Sequence, residues 1–375
     1  MISASSLPPG PWMVLGLMSG TSADGVDAVV ARVDPAGFKD GSPFLDLVGH
    51  LHEPYPPALR ETVMAAANDN LRPGALCILQ RDLGDHHARA AFQLSRSLGV
   101  KPHLASLHGQ TVQHHPVRGA TLQLADPYVL AEKLQCPVVW DLRRRDMALG
   151  GQGAPLVPLT ELWLHGRREP WIALNLGGIA NATVWDGAKV RAWDLGPAMT
   201  LLDLAATLWL GKPYDPAGAS ASGFVEDSLL EAWLAHPHFR IPPPKSTGRE
   251  VFGAAWLDSE RRSLEHLPLP SRMGTLAAFT AEACARELRA WAPPMPAGTP
   301  ILLSGGGALH GRVRRELAGR LPGFRIQDDL QFPSGAREAV SWALLGAASA
   351  AGVPGNLAEV TGASRPAILG SWVPG

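Results

Sequence analysis

Apolar runs alternate with short polar, glycine-containing breaks along the whole chain. Residues 12–34 read as strand, loop and strand. The break inside "GLMSGTSADGVDAVV" (Gly16–Val30) places seven small residues between Met18 and Val26. A tight hairpin needs only two or three, so this turn makes room for a ligand. Downstream, Leu76, Leu79, Leu83, Ala90, Leu94 and Leu98 recur at helical spacing and predict a long amphipathic helix. "HLASLHGQTV" (His103–Val112) reads as a buried strand ending in a polar loop, and "PVVWDLRRRD" (Pro137–Asp146) as another strand. Strands alternating with helices predict an α/β protein with largely buried sheets.

The opening pattern returns in "WIALNLGGIANATVW" (Trp171–Trp185), again strand, Gly-rich turn and strand, with "KVRAWDLG" (Lys189–Gly196) as a third strand. Gly20 and Gly177 are 157 positions apart, about one domain length. The spacing predicts two lobes, each opening with a hairpin. A third Gly-rich turn, "ILLSGGGALHG" (Ile301–Gly311), leaves a strand and enters a helix. "AVSWALLGAASAAGV" (Ala339–Val353) is the longest uncharged run. It is too short and too rich in Ala, Gly and Ser for a membrane span, and predicts a buried helix.

A single Gly-rich turn is ordinary punctuation. Three, each directly after an apolar strand, point to phosphate, because glycine lets backbone N–H groups approach an anion closely. Gly20, Thr21, Ser22, Gly25 and Asp27 belong to the first such site, Gly177 and Gly178 to the second, and Gly305, Gly306 and Gly307 to the third. Asp24 has the oxygen ligand that Mg²⁺ prefers. A P-loop is excluded because the first turn has no Lys and feeds a strand, and the dinucleotide fingerprint is absent from it. Two hairpin phosphate loops with a later strand–GGG–helix resemble the actin/hexokinase/Hsp70-like ATPases.

Charge and cysteine usage narrow the partners. Lys and Arg number 33 against 34 Asp and Glu, which removes nucleic acid and anionic membrane as main partners. The run Arg312–Arg315 reads as a solvated face. Cys77, Cys136 and Cys284 form no CxxC pair, which argues for a reducing, cytoplasmic setting. "MISASSLPPGPW" has neither a charged nor an apolar leader region and reads as no signal peptide. His86-His87 and His114-His115 lack metal-site spacing and read as packing or surface residues.

Across nearly the whole chain, "GLMSGTSADGVDAVV", "HGQTVQHHP", "DLRRRDMALGGQGAPLVP", "LNLGGIAN", "PPKSTGREVF" and "GNLAEVTGASRPAILG" resemble, in order and spacing, the anhydro-N-acetylmuramic acid kinases. The resemblance implies a two-lobed actin-like ATPase (ribonuclease H-like) fold with a central ATP/sugar cleft. It also implies a reaction: a 1,6-anhydro sugar, water and ATP give the 6-phosphosugar and ADP. One lobe is expected over residues 1–138 with 340–375, and the other over 139–339. ATP and Mg²⁺ are the implied cofactors and a small anhydrosugar the implied partner, with a homodimer as one oligomeric state.

The resemblance also assigns roles. Asp194 in "WDLGPA" becomes the base that activates water; on sequence alone a helix cap is an equal reading. Glu338 becomes a sugar-contacting carboxylate, although an acid in a first helical turn suits the helix dipole in any case. His108, Gln110, Thr111, Asp141 and Arg143 suit sugar hydroxyls, with a structural loop and an internal Asp141–Arg143 ion pair as the alternatives. Lys245 joins this polar set. The family pattern Asp-Thr-Gly-Pro-Gly-Asn reads Asp194-Leu195-Gly196-Pro197-Ala198-Met199 here. Leu195 and Met199 are therefore expected to remove hydrogen-bonding side chains near the sugar, which keeps a levoglucosan-type kinase as the neighbouring reading. From another class, an actin- or Hsp70-like nucleotide-binding protein would use the same three turns.

Overall fold

The computed structural model describes residues 7–20, 22–333 and 335–375. Its strands are β1 (Trp12–Ser19), β2 (Gly25–Asp34), β3 (Phe44–Pro54), β4 (Leu104–His115), β5 (Ala120–Leu124), β6 (Val138–Trp140), β7 (Trp171–Leu176), β8 (Ile179–Trp185), β9 (Val190–Pro197), β10 (Pro300–Ser304), β11 (Arg325–Asp328) and β12 (Ser371–Val373). The chain divides into two compact units, Met1–Gly166 with Gly335–Gly375, and Arg167–Ser334. The division falls after Gly166 rather than near residue 138 because the Val157–His165 helix packs with the first unit. There Trp163 meets Phe38 edge-on at 5.0 Å, and Thr160 Oγ1 donates to Ser341 Oγ at 2.8 Å.

The first unit's sheet runs β12-β6-β4-β1-β2-β3, with β5 on β4; the second unit's runs β11-β10-β7-β8-β9. In the first, β1, β2 and β3 form an antiparallel meander while β4 and β6 lie parallel beside β1. In the second, β7, β8 and β9 repeat the meander while β10 and β11 lie parallel beside β7. The repeat visible as Gly20 and Gly177 is thus a repeat of a whole ribonuclease H-like topology.

Alternation along β1 explains how its sheet is covered. Leu15 and Leu17 join the core formed with Leu79, Leu83 and Leu94 of the Pro73–Leu98 helix. Gly16 points the other way, to the Arg337–Ala350 helix. A Cβ on Gly16 would stand 2.2 Å from Ala339 O, and one on Gly346 would stand 2.4 Å from Ser106 Cβ. These two glycines let the predicted Ala- and Gly-rich helix lie directly on the sheet. In the second unit, the Leu269–Trp291 helix buries Met273, Leu276 and Phe279 in a core shared with β7 to β10.

One strand differs from its sequence reading. β4 does not end in a loop near Gln110 but runs to His115 and turns back as β5. Gly109, at φ +77°, supplies the local kink. Among the described residues no helix is long and apolar enough to cross a membrane.

Candidate functional site

The β1–β2 turn is anchored from inside. Burial drives His87 down to about 4, so its imidazole is neutral. Its Nδ1 donates to Leu83 O at 2.7 Å, which leaves Nε2 to accept from Ser19 Oγ at 2.9 Å. Tyr55 OH donates to Ser19 Oγ at 2.9 Å and lies 3.2 Å from Gln110 Oε1. Gln110 Nε2 donates to Gly20 O, Arg60 Nε to Ala23 O and the Tyr55 amide to Asp24 O, at 3.0, 3.1 and 3.0 Å. Three carbonyls of the turn are therefore committed to protein donors. Ala23 holds a positive φ of 51°.

The predicted phosphate residues divide by role. Gly20 is open, since a Cβ there would meet only Ser22 Oγ, at 3.6 Å. Gly25 is required by the sheet, where a Cβ would stand 2.4 Å from Glu53 O. Ser22 is half-buried and Asp24 exposed. Asp27 accepts from His50 Nε2 and His52 Nδ1 of β3 at 3.0 and 3.1 Å. Thr21 lies outside the described residues.

A second group in this unit surrounds Arg143. Its Nη1 donates to Gly153 O at 2.9 Å, and its Nη2 lies 2.9 Å from His108 Nε2. Its guanidinium lies 5.1 Å over the Trp342 ring, which also meets the His108 ring edge-on at 4.5 Å. Burial lowers Arg143 to about 10 against the pull of Glu338. It also lowers His108, with Arg143 adding to the effect, so the ring is neutral and accepts. Glu338 keeps solvent access within a dense protein surround. Lost hydration raises its carboxyl, Arg143 opposes this, and Asp27 and Asp24 reinforce it.

The expected sugar-contacting set is thus redistributed. Asp141 pairs with Arg144, whose Nε donates to Asp141 Oδ2 at 2.7 Å, not with Arg143. Thr111 Oγ1 accepts from Gln123 at 3.2 Å, and the Gln110 amide serves the first turn. Both lie within β4 rather than in a loop after it.

In the second unit, the Gly177–Gly178 turn packs on the start of the Met199–Leu210 helix. Gly177 O accepts from the Met199 amide at 2.9 Å, and Gly178 O from the Ala198 and Thr200 amides at 3.1 Å. A Cβ on Gly178 would come within 2.7 Å of Thr200 Oγ1. Gly305, at φ +79°, passes so close to the end of β7 that a Cβ would stand 2.6 Å from Asn175 Oδ1. Gly307 is equally confined, since a Cβ there would stand 2.7 Å from Leu176 Cβ and 2.8 Å from Met199 Cε, whereas Gly306 faces open space. The Met199 tip lies against Gly307, and Leu195 is fully buried in the core.

Asp194 lies within β9, under the "PPKSTGRE" loop. The Thr247 amide donates to its Oδ2 at 3.0 Å, and its own amide donates to Lys245 O at 3.3 Å. Burial raises its carboxyl to about 6, the Thr247 amide opposes this, and Glu250 adds to it. Nearby, burial raises Asp203 to about 6 against the opposing charge of Arg249. Lys245, expected among ligand-facing groups, is instead buried against Glu287.

His87, Tyr55 and Thr247 support these sites without having been singled out for them. His87 was legible only as half of an adjacent pair, and Thr247 acts through its backbone, which no side-chain pattern reports. Among the described residues no three His, Cys, Asp or Glu side chains are grouped to hold a metal.

A family model described as anhydro-N-acetylmuramic acid kinase matches residues 12–375. The anhydro-N-acetylmuramic acid kinase of Synechococcus sp. (strain CC9311) is 39% identical over 95% of this chain and 98% of its own. That of Gloeobacter violaceus is 39% identical over 97% and 99%, and that of Cupriavidus pinatubonensis 40% over 96% and 98%. Among solved structures, component A of (R)-2-hydroxyglutaryl-CoA dehydratase from Acidaminococcus fermentans matches 90% of this chain and 98% of its own at 12% identity and a TM-score of 0.48.

Proposed function

The chain belongs to the anhydro-N-acetylmuramic acid kinase family, and we propose that it opens 1,6-anhydro-N-acetylmuramic acid with water and phosphorylates O6, giving N-acetylmuramic acid 6-phosphate and ADP. The observation that carries the mechanism is Asp194: a carboxylate oriented by the Thr247 amide and tuned to about 6. An intramolecular 1,6-anhydro bond offers no free hydroxyl at C6. The base therefore acts on water, as in inverting glycoside hydrolysis. Asp194 takes a proton from that water as its oxygen bonds to C1 and the C1–O6 bond breaks. Bound ATP supplies the phosphoryl group that O6 acquires.

The glycines fit a nucleotide cradle in that Gly305 and Gly307 leave no room for a Cβ and Gly306 is open. In this reading Gly20, Ser22, Gly177 and Gly178 hold the phosphates and Gly305–Gly307 the nucleoside. Exposed Asp24 suits Mg²⁺, which keeps water and phosphate oxygens and seldom needs an all-protein cage. Arg143, His108 and Glu338 offer donors and an acceptor to sugar hydroxyls. Leu195 and Met199, which stand where the family pattern has Thr and Asn, keep a levoglucosan-type sugar as the alternative substrate. The free cysteines suit a cytoplasmic enzyme.

Turnover in ¹⁸O-water tests the reading. Label should enter the anomeric hydroxyl at early times, with inversion, and be absent from the sugar phosphate. Label in inorganic phosphate with unlabelled sugar would identify an ATPase and overturn it.

A further inference from the structure

Behind Asp194 lies a buried charged group that the chemistry above does not use. Lys245 Nζ is 2.8 Å from Glu287 Oε1, with side-chain exposures of 3% and 0%. The same ammonium donates to His238 O at 2.8 Å. The second oxygen of Glu287 accepts from Trp193 Nε1 at 3.1 Å. Trp193 is the residue before Asp194 on β9, and Lys245 lies two residues before Thr247. One carboxylate on the Leu269–Trp291 helix therefore ties the strand that carries the base to the loop that supplies its amide donor. Asp194 closes the same circuit twice, through Lys245 O and the Thr247 amide.

Removing a charged pair from water is costly, and a well-packed apolar pair would often be as stable. The position of this pair gives it a further use. We propose that Lys245 and Glu287 form a clamp that positions Asp194 by holding the Thr247 amide on its carboxylate. Both are positioning residues, since neither touches a reacting atom. The proposal rests on Asp194 as the base.

The titratable and charged groups around Asp194 are Lys245, Arg249 and Glu250 on the loop, His238 on the preceding turn, Asp203 on the Met199–Leu210 helix, and Arg286 and Glu287 on the Leu269–Trp291 helix. Of these, Glu250 raises the base, while the Thr247 amide lowers it. A carboxylate loses roughly one unit of acidity with each amide hydrogen bond removed. Releasing the loop should therefore make Asp194 harder to ionise.

The experiment is the pH profile of kcat/KM for the full-length enzyme carrying Lys245→Met, with nucleotide affinity and thermal unfolding measured alongside. The acid limb should move upward by about one pH unit, lowering turnover at pH 6 about fivefold, with nucleotide affinity kept. Lys245→Met leaves Glu287 buried and unpaired, so Lys245→Met/Glu287→Leu removes both charges and should show the same displacement. An unmoved acid limb in the folded double variant overturns the clamp. So does a double variant that does not fold, because the pair would then be a structural element only. Asp194→Asn separates the two ideas: near-normal turnover there removes the base itself, whereas its loss beside an unmoved limb in the clamp variants removes only the clamp.

Discussion

Asp194 is a carboxylate that the protein makes reluctant to ionise. Burial is the main cause, the exposed Glu250 carboxylate adds to it, and one amide bond works against both. A base must be deprotonated to act, so kcat/KM should rise with pH through about 6, the value set by this balance. Glu250→Gln removes a neighbouring negative charge and eases ionisation. Its acid limb should therefore move to lower pH by a fraction of a unit, with kcat at neutral pH almost unchanged. A limb that stays in place, or moves upward, would show that Glu250 does not act on the base. Sequence could nominate Asp194 but could not foresee its tuning, because the opposing groups are a backbone amide and a residue more than fifty positions away. The same limit applies to Leu195 and Met199. A hydrophobic side chain beside a polar motif reads as an altered site until its direction is known. Here Leu195 points into the core and Met199 toward Gly307.

Glycine placement decides whether the larger elements fit together. The uncharged run that predicts a buried helix is found as Arg337–Ala350, and the sequence showed its small residues on all sides. What it did not show is that Gly16 on β1 is equally necessary to the contact. A methyl group there would meet a helix carbonyl at 2.2 Å, and a backbone atom cannot swing aside as a flexible side chain does. Gly16→Ala should destabilise the protein by about 1–3 kcal/mol in urea unfolding. It should also lower turnover, because Glu338 precedes Ala339 on the helix that is pushed away. Gly74→Ala is the control. Nothing lies within 4 Å of its Cβ, in the first turn of the Pro73–Leu98 helix. That change should be neutral or stabilising by up to about 1 kcal/mol. Equal effects from the two substitutions would refute the close-approach argument. β4 shows the converse limit of sequence patterns: its polar second half suggested a loop, but cross-strand bonds to β5 and the Gly109 kink carry the strand through it.

At the scale of the whole molecule, the repeated strand–turn–strand opening was legible, and so was the return of the C-terminal segment to the first unit. The junction was not, because the Val157–His165 helix is apolar enough to belong to either unit, and contacts such as those with Phe38, Arg337 and Ser341 assign it. The two units consequently differ in how they depend on chain continuity. The second is one unbroken stretch whose five strands and hydrophobic core all lie between residues 171 and 328. At about 170 residues it is large enough to bury a core without help. The first needs both ends of the chain: β12 pairs with β6, and the Arg337–Ala350 helix covers the face of β1 that Gly16 presents. Residues 167–333 expressed alone should therefore give a mixed α/β circular dichroism spectrum and a cooperative thermal transition. They should show no turnover, since Asp24, Arg143 and Glu338 belong to the other unit. A chain ending at residue 333 should retain that transition and lose the cooperative unfolding of the first unit. An unfolded 167–333 fragment would mean that the second core depends on the rest of the chain. A first unit that melts cooperatively without its C-terminal segment would mean that β1 does not need the helix laid against it.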